Sequence, residues 1–98
     1  MITIIAKRWF SRSCGNTYHS VTVLLDGKEV GYEPFTYGYG DHYRQTAHKI
    51  LQKAGICPTT GESLKSGMDK DYYEFMLESR DTSKYLFIVS DVSRKKDL

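Results

Sequence analysis

The stretch TYHSVTVLLDGKEVGYEPF, Thr17 to Phe35, limits the fold more than any other part of the chain. Thr17, His19, Val21, Val23 and Leu25 fall on one side, and Tyr18, Ser20, Thr22 and Leu24 on the other. Strict alternation with one more apolar side is the pattern of a half-buried strand. Asp26-Gly27 follows at once, and KEVGYEPF resumes strand character. An Asp-Gly pair between two such segments predicts a tight hairpin, because a type I′ turn needs positive φ at both central positions. Gly31 reads as a bulge, and Pro34 as a residue that ends the ladder or sits on an edge.

The flanking segments add to that hairpin. Ile2–Phe10 is rich in β-branched and aromatic residues and reads as a strand, with Ser11–Asn16 as the turn behind it. Tyr43, Ala47, Ile50, Leu51 and Ala54 form the apolar stripe of a helix, with Asp41 as N-cap and Gly55 as terminator. Ile56–Lys70 has no period and is expected to be a loop. In DYYEFMLESR, Tyr73, Phe75 and Leu77 alternate with Glu74, Met76 and Glu78, which favours a strand over a helix for residues 72–80. Asp81–Lys84 then turns into the strand YLFIVSDV, and the tail SRKKDL is expected to fray. The expectation is an α+β fold in the order β-β-β-α-β-β. It is an antiparallel sheet of about five strands with one amphipathic helix packed on one face. At 98 residues the whole chain, 1–98, is a single domain.

Composition removes several functional classes. Fourteen basic and twelve acidic side chains leave a net charge of +2, too balanced for a protein that binds nucleic acid by bulk charge or mimics it. Cys14 and Cys57 are far apart and form no zinc-type spacing, so neither a metal nor a cofactor is expected. No apolar run approaches the roughly 20 residues that span a bilayer, and the first residues lack a signal-peptide pattern. A cytoplasmic protein without a membrane partner is the resulting expectation.

Enzyme chemistry finds little support. Cys14 lies near His19 in sequence, but a nucleophile pair also needs a third group to orient the imidazole. The pairs Asp69/Asp71 and Glu74/Glu78 read as solvated charges. GYGDHYR places glycines before a helix without the spacing or Lys-Ser/Thr ending of a phosphate loop. The tyrosines carry more weight, eight of thirteen aromatic residues. Tyr43 and Phe35 are expected in the core. Tyr37 and Tyr39, flanked by glycines, are expected to be displayed for a partner. His42, Arg44, His48 and Lys49 on the helix complete the expected contact set. Lys7, Arg8, Arg12 and Lys53 are candidate nucleic-acid contacts.

GNTYHSV (Gly15–Val21), PFTYGYGDHY (Pro34–Tyr43) and VSDVSRKKDL (Val89–Leu98) together resemble small proteins encoded by phages and mobile elements. The resemblance implies a non-enzymatic inhibitor, anti-CRISPR proteins being one kind. Such a protein binds a host protein or ribonucleoprotein complex in nucleic-acid processing or defence. Direct nucleic-acid binding is the alternative, and homodimerisation through an open strand edge is also expected to be available.

Overall fold

Local rules lay down the first three strands. β1 (Ile2–Ser11) and β2 (Asn16–Leu25) pair antiparallel without interruption, from Ile2↔Leu25 to Ser11↔Asn16. The Asp26-Gly27 turn has φ of 51° and 85°, the left-handed pair that the hairpin requires. It delivers β3 (Lys28–Tyr37) antiparallel to β2. Two register shifts fall along that pairing, between His19/Val21 and between Val23/Leu24, and in both the extra residue belongs to β3. Pro34 lies inside the first of them, where the ladder has no need of its missing donor.

The computed structural model describes residues 1–38 and 40–98. α1 (Tyr43–Lys53) follows the loop after β3, but its N-cap is His42 rather than Asp41, and no side chain caps it. Asp41 contributes a carbonyl instead, which accepts the Arg44 N–H. Gly55 closes the helix as expected, donating its N–H to the Gln52 carbonyl. Tyr43, Ala47 and Leu51 are buried, Ile50 is half-buried, and Ala54 is exposed.

Residues 72–80 do not form a strand. α2 (Lys70–Glu78) occupies them, started by the Asp69 carboxylate, which accepts from the Asp71 and Tyr72 N–H groups. Tyr72, Phe75, Met76 and Ser79 turn inward at helical spacing, while Tyr73 and Leu77 stay exposed. That second period coexists with the alternation in the sequence, and a capped start with a packing partner decides in favour of the helix. β4 (Tyr85–Val92) then enters beside β1, parallel to it, from Ile2↔Tyr85 to Trp9↔Val92. A hairpin would have made it antiparallel; a helical crossover returns the chain to the end where β1 begins. The result is a four-stranded mixed sheet in the order β3-β2-β1-β4, with two helices. The α+β class stands, but five antiparallel strands and a single helix do not.

Ile4, Ala6, Val21 and Val23 form the sheet side of the core. Tyr43, Ala47 and Leu51 from α1, Phe75 from α2 and Tyr85 from β4 cover them. Both helices therefore pack on one face. The connection between them is held by polar ties. Asp71, itself buried, accepts from Thr60 N at 2.7 Å and Thr60 Oγ1 at 2.8 Å, and these bonds hold its carboxyl below the usual range. Lys70 and Glu62 add an ion pair at 2.9 Å.

Gly31 is where α1 comes closest to the sheet, since a β-carbon there would overlap Ile50 Cγ2. Gly31→Ala should therefore lower stability by about 1–3 kcal/mol, an overpacking cost. Gly31→Ala with Ile50→Ala should cost less than the two single variants added together, as read from urea midpoints.

Candidate functional site

Strand parity sorts the side chains before any contact is measured. Ile4, Ala6, Val21 and Val23 point toward the helices, so their neighbours point away. The face opposite the helices carries Ile5, Lys7 and Trp9 from β1 and Tyr18 and Leu24 from β2. Tyr32 and Tyr37 from β3 and Leu86 and Ile88 from β4 share it, together with the polar Thr3, Ser20, Thr22, Glu29 and Ser90. Tyr32, Phe35, Tyr37, Leu86 and Ile88 are each between 41% and 56% exposed. Antiparallel sheets often leave one face to solvent, but that face is then usually polar. Here polar residues run through its middle, and exposed aromatic and aliphatic side chains stand along β3 and β4.

One end of this open face holds a row of rings. Trp9 stacks on Tyr18 with centroids 5.8 Å apart, and Tyr18 stacks on Phe35 at 4.6 Å. Tyr37 meets Tyr18 edge-on at 5.8 Å. Phe35 is thus not a core residue. The extra β3 residue around Pro34 brings its ring to the side of Tyr18. The tail does not project freely either. It forms a 3-10 turn at Lys95–Asp97 and sets Lys95 Nζ 4.9 Å from the Phe35 ring, a cation–π contact. Tyr37 is displayed as expected at 56% exposure, but from the sheet rather than from a loop. The expectation for Tyr39 lies outside the described residues.

The basic residues singled out from the sequence are not one patch. Lys7 and Arg8 are strand neighbours and so lie on opposite faces. Arg8 is a structural tie, with Nε 2.8 Å from Asp91 Oδ1 and Nη1 3.2 Å from the Gly40 carbonyl. Arg12 is exposed in the β1–β2 turn. Lys49 and Lys53 flank a groove of about 790 Å³ between α1 and β3, on the helix side. Arg44 lies 4.5 Å over the Phe87 ring, packed rather than reaching out. Lys7 lies on the open face by strand parity and Lys95 reaches it over Phe35, while Arg12 and Lys96 are exposed in the turn and the tail and Arg94 pairs with Asp97. Six acidic residues fall between Glu62 and Asp81, on α2 and its approaches.

The histidines divide as well. His42 is exposed at the helix start. His48, expected on the solvent side of α1, is buried: it stacks on Phe75 at 5.0 Å and lies 5.5 Å from Tyr72. The cover comes from α2, which the strand reading of residues 72–80 did not supply. Its Nε2 is buried without a hydrogen-bond partner. His19, weighed in the sequence only as a partner for Cys14, is a buried structural tie. Nδ1 lies 3.2 Å from the Gly38 carbonyl and Nε2 2.7 Å from Thr46 Oγ1. A carbonyl can only accept, so Nδ1 carries the proton and Nε2 accepts from the threonine hydroxyl. One ring thereby joins β2, the loop after β3 and α1. Its position on the apolar side of an alternating strand was the available signal. Burial pushes both His19 and His48 below the ordinary imidazole value.

Cys14 is exposed beside the Ser11 and Ser13 side chains, with Ser13 Oγ 3.9 Å from its sulfur. Cys57 is half-buried, and burial pushes its thiol up, which disfavours the reactive thiolate. Among the described residues no group of three or more His, Cys, Asp or Glu side chains could hold a metal ion. Among the described residues no helix is long and apolar enough to cross a membrane. No family model, curated protein or solved structure matches the chain.

The two buried imidazoles set a pH dependence. Their folded pKa values lie below the unfolded value of 6.5, so their contribution is complete above that pH and is lost as pH falls below it. Asp71, lowered from 3.8, loses its contribution at still lower pH, in the same direction. Urea midpoints should therefore be level above pH ~7 and decline toward pH 5. His48→Phe, which keeps a ring against Phe75, should flatten that decline. Thr46→Val should cost about 1–3 kcal/mol at pH 7.5, because it leaves a buried His19 nitrogen unpaired.

Proposed function

We propose that this chain is a non-enzymatic binding protein whose contact surface is the open face of its sheet. The observation that carries the proposal is the exposure of Tyr32, Phe35 and Tyr37 along β3, and of Leu86 and Ile88 along β4, on a face that neither helix covers. Large apolar side chains left exposed among polar groups are a mark of interaction sites. Tyrosine suits the task, since it offers large contact area with few rotatable bonds and a polar tip. Lys7, Arg12, Lys95 and Lys96 would steer the chain toward an acidic surface. The setting that the resemblance of Gly15–Val21, Pro34–Tyr43 and Val89–Leu98 implies is a phage-type inhibitor of a host nucleic-acid-processing or defence complex.

Nucleic acid itself is the second reading, favoured by Lys7 and Lys95 on the open face and by Arg12 and Lys96 exposed in the turn and the tail. The rings weigh against it. Bases bind best to aromatic faces lying free. Here Trp9, Tyr18 and Phe35 turn their faces toward one another, and Lys95 lies over Phe35. Protein contact uses ring edges and hydroxyls, which this arrangement leaves available.

The test is capture from nuclease-treated host lysate by the wild-type chain and by Tyr32→Ala/Tyr37→Ala, with circular dichroism as the folding check. The double variant should fold normally and lose the captured protein by at least about tenfold, as expected for contact hot spots. Undiminished capture by a folded variant would remove the proposal. Binding to short single-stranded oligonucleotides with a log–log salt slope near about −3, from four cations, would establish the second reading instead.

A further inference from the structure

The two edges of the sheet are built differently. β3 is blunted by its two bulges, by Pro34, and by the charged residues Lys28, Glu29 and Glu33. These are the usual protections of an edge against further pairing. β4, YLFIVSDV, has no proline and no lysine, and its pairing with β1 runs without a shift from Tyr85 to Val92. Its one charge, Asp91, is fastened to Arg8. α1 lies mainly over β2 and β3 and reaches β4 through Tyr43 and Arg44 against Phe87, leaving the outer edge of β4 unpaired. Val89 points to the helix side and is still 36% exposed, and Leu86 and Ile88 on the open face are 45% and 47% exposed.

The direction of the free backbone groups follows from one hydrogen bond. The Ile2 N–H donates to the Lys84 carbonyl, so Lys84 and every second residue after it turn toward β1. Tyr85, Phe87, Val89 and Asp91 therefore aim their N–H and C=O groups at the open edge. That set is self-complementary. Under a two-fold axis at Ile88, Tyr85 stands opposite Asp91 of a second copy, and Phe87 opposite Val89. Each such pair exchanges two hydrogen bonds.

We propose that β4 pairs antiparallel with β4 of a second copy of this chain, joining the two sheets into one continuous sheet. An eight-residue strand is about 26 Å long. Full overlap uses all four outward-facing residues on each copy, giving about eight inter-chain hydrogen bonds against the ~10 of a standard interface. On the open face Ile88 meets its counterpart and Leu86 stands opposite Ser90, and Phe87 meets Val89 on the helix side. The buried area falls at the small end of specific interfaces, so the dimer forms at micromolar rather than nanomolar concentration. The axis stands perpendicular to the sheet. Both open faces therefore lie on the same side and merge, whatever partner that surface takes.

Sedimentation of the full chain from about 1 to 500 µM tests this, a range that brackets micromolar association. The mass should rise from 11.3 kDa to twice that value. Val89→Pro removes an edge donor that β1 does not use, and should hold the chain as a folded monomer through the series. In a Cys14→Ser/Cys57→Ser background, Ile88→Cys should form an inter-chain disulfide on mild oxidation, since paired residues at the axis stand about 4.5 Å apart at Cα. Lys53→Cys in the same background should not. A wild-type chain that stays monomeric at 500 µM overturns the proposal. So does a dimer that persists unchanged in Val89→Pro, because it must use another surface.

Discussion

Much of this molecule depends on how closely α1 can approach the sheet. At Gly31 the missing β-carbon lets Ile50 settle against β3, which seats the helix over β2 and β3. Ala47 and Leu51 are then buried in one core with Val21 and Val23. Once the larger helix occupies that position, α2 is left to cover the other flank. It does so near the start of β4, where Phe75 meets Tyr85 edge-on at 5.7 Å. Two short helices on one face cannot cover four strands of eight to ten residues. The exposed far end of β4 beyond Phe87, where Val89 on the helix side is still 36% exposed, is a consequence of that shortage.

The polar interior serves the same arrangement. His19 spans β2, Gly38 and Thr46, and so fixes where the chain leaves the sheet and where α1 begins. It takes over the anchoring that an N-cap side chain would otherwise supply, since His42 makes no capping bond. Asp71 does the corresponding work for the second helix by gripping Thr60. His48, stacked on Phe75 without a partner for Nε2, is the weak point of this scheme. A charge there would stand in the seam between the helices.

Two cations stand on the face of the aromatic row, Lys7 by strand parity and Lys95 over the Phe35 ring. Those rings are mostly occupied with one another, and the tail crosses to cap them through Lys95. The open face is therefore a preorganised surface rather than loose aromatic side chains. Preorganisation lowers the entropic cost of binding a partner. It also explains how a chain of this size tolerates so much exposed aromatic surface.

The hairpin register, the split of β2 into two faces, the core role of Tyr43 and the end of α1 at Gly55 were all legible in the sequence. Each depends on residues within a few positions of one another, where backbone sterics and side-chain period act directly. Residues 72–80 satisfied two periods at once, and only the Asp69 cap together with packing of Phe75 under α1 selected the helix. From that choice followed the parallel direction of β4 and the burial of His48. These features arise from contacts between segments distant in sequence, and no local pattern encodes which face a helix will find already occupied.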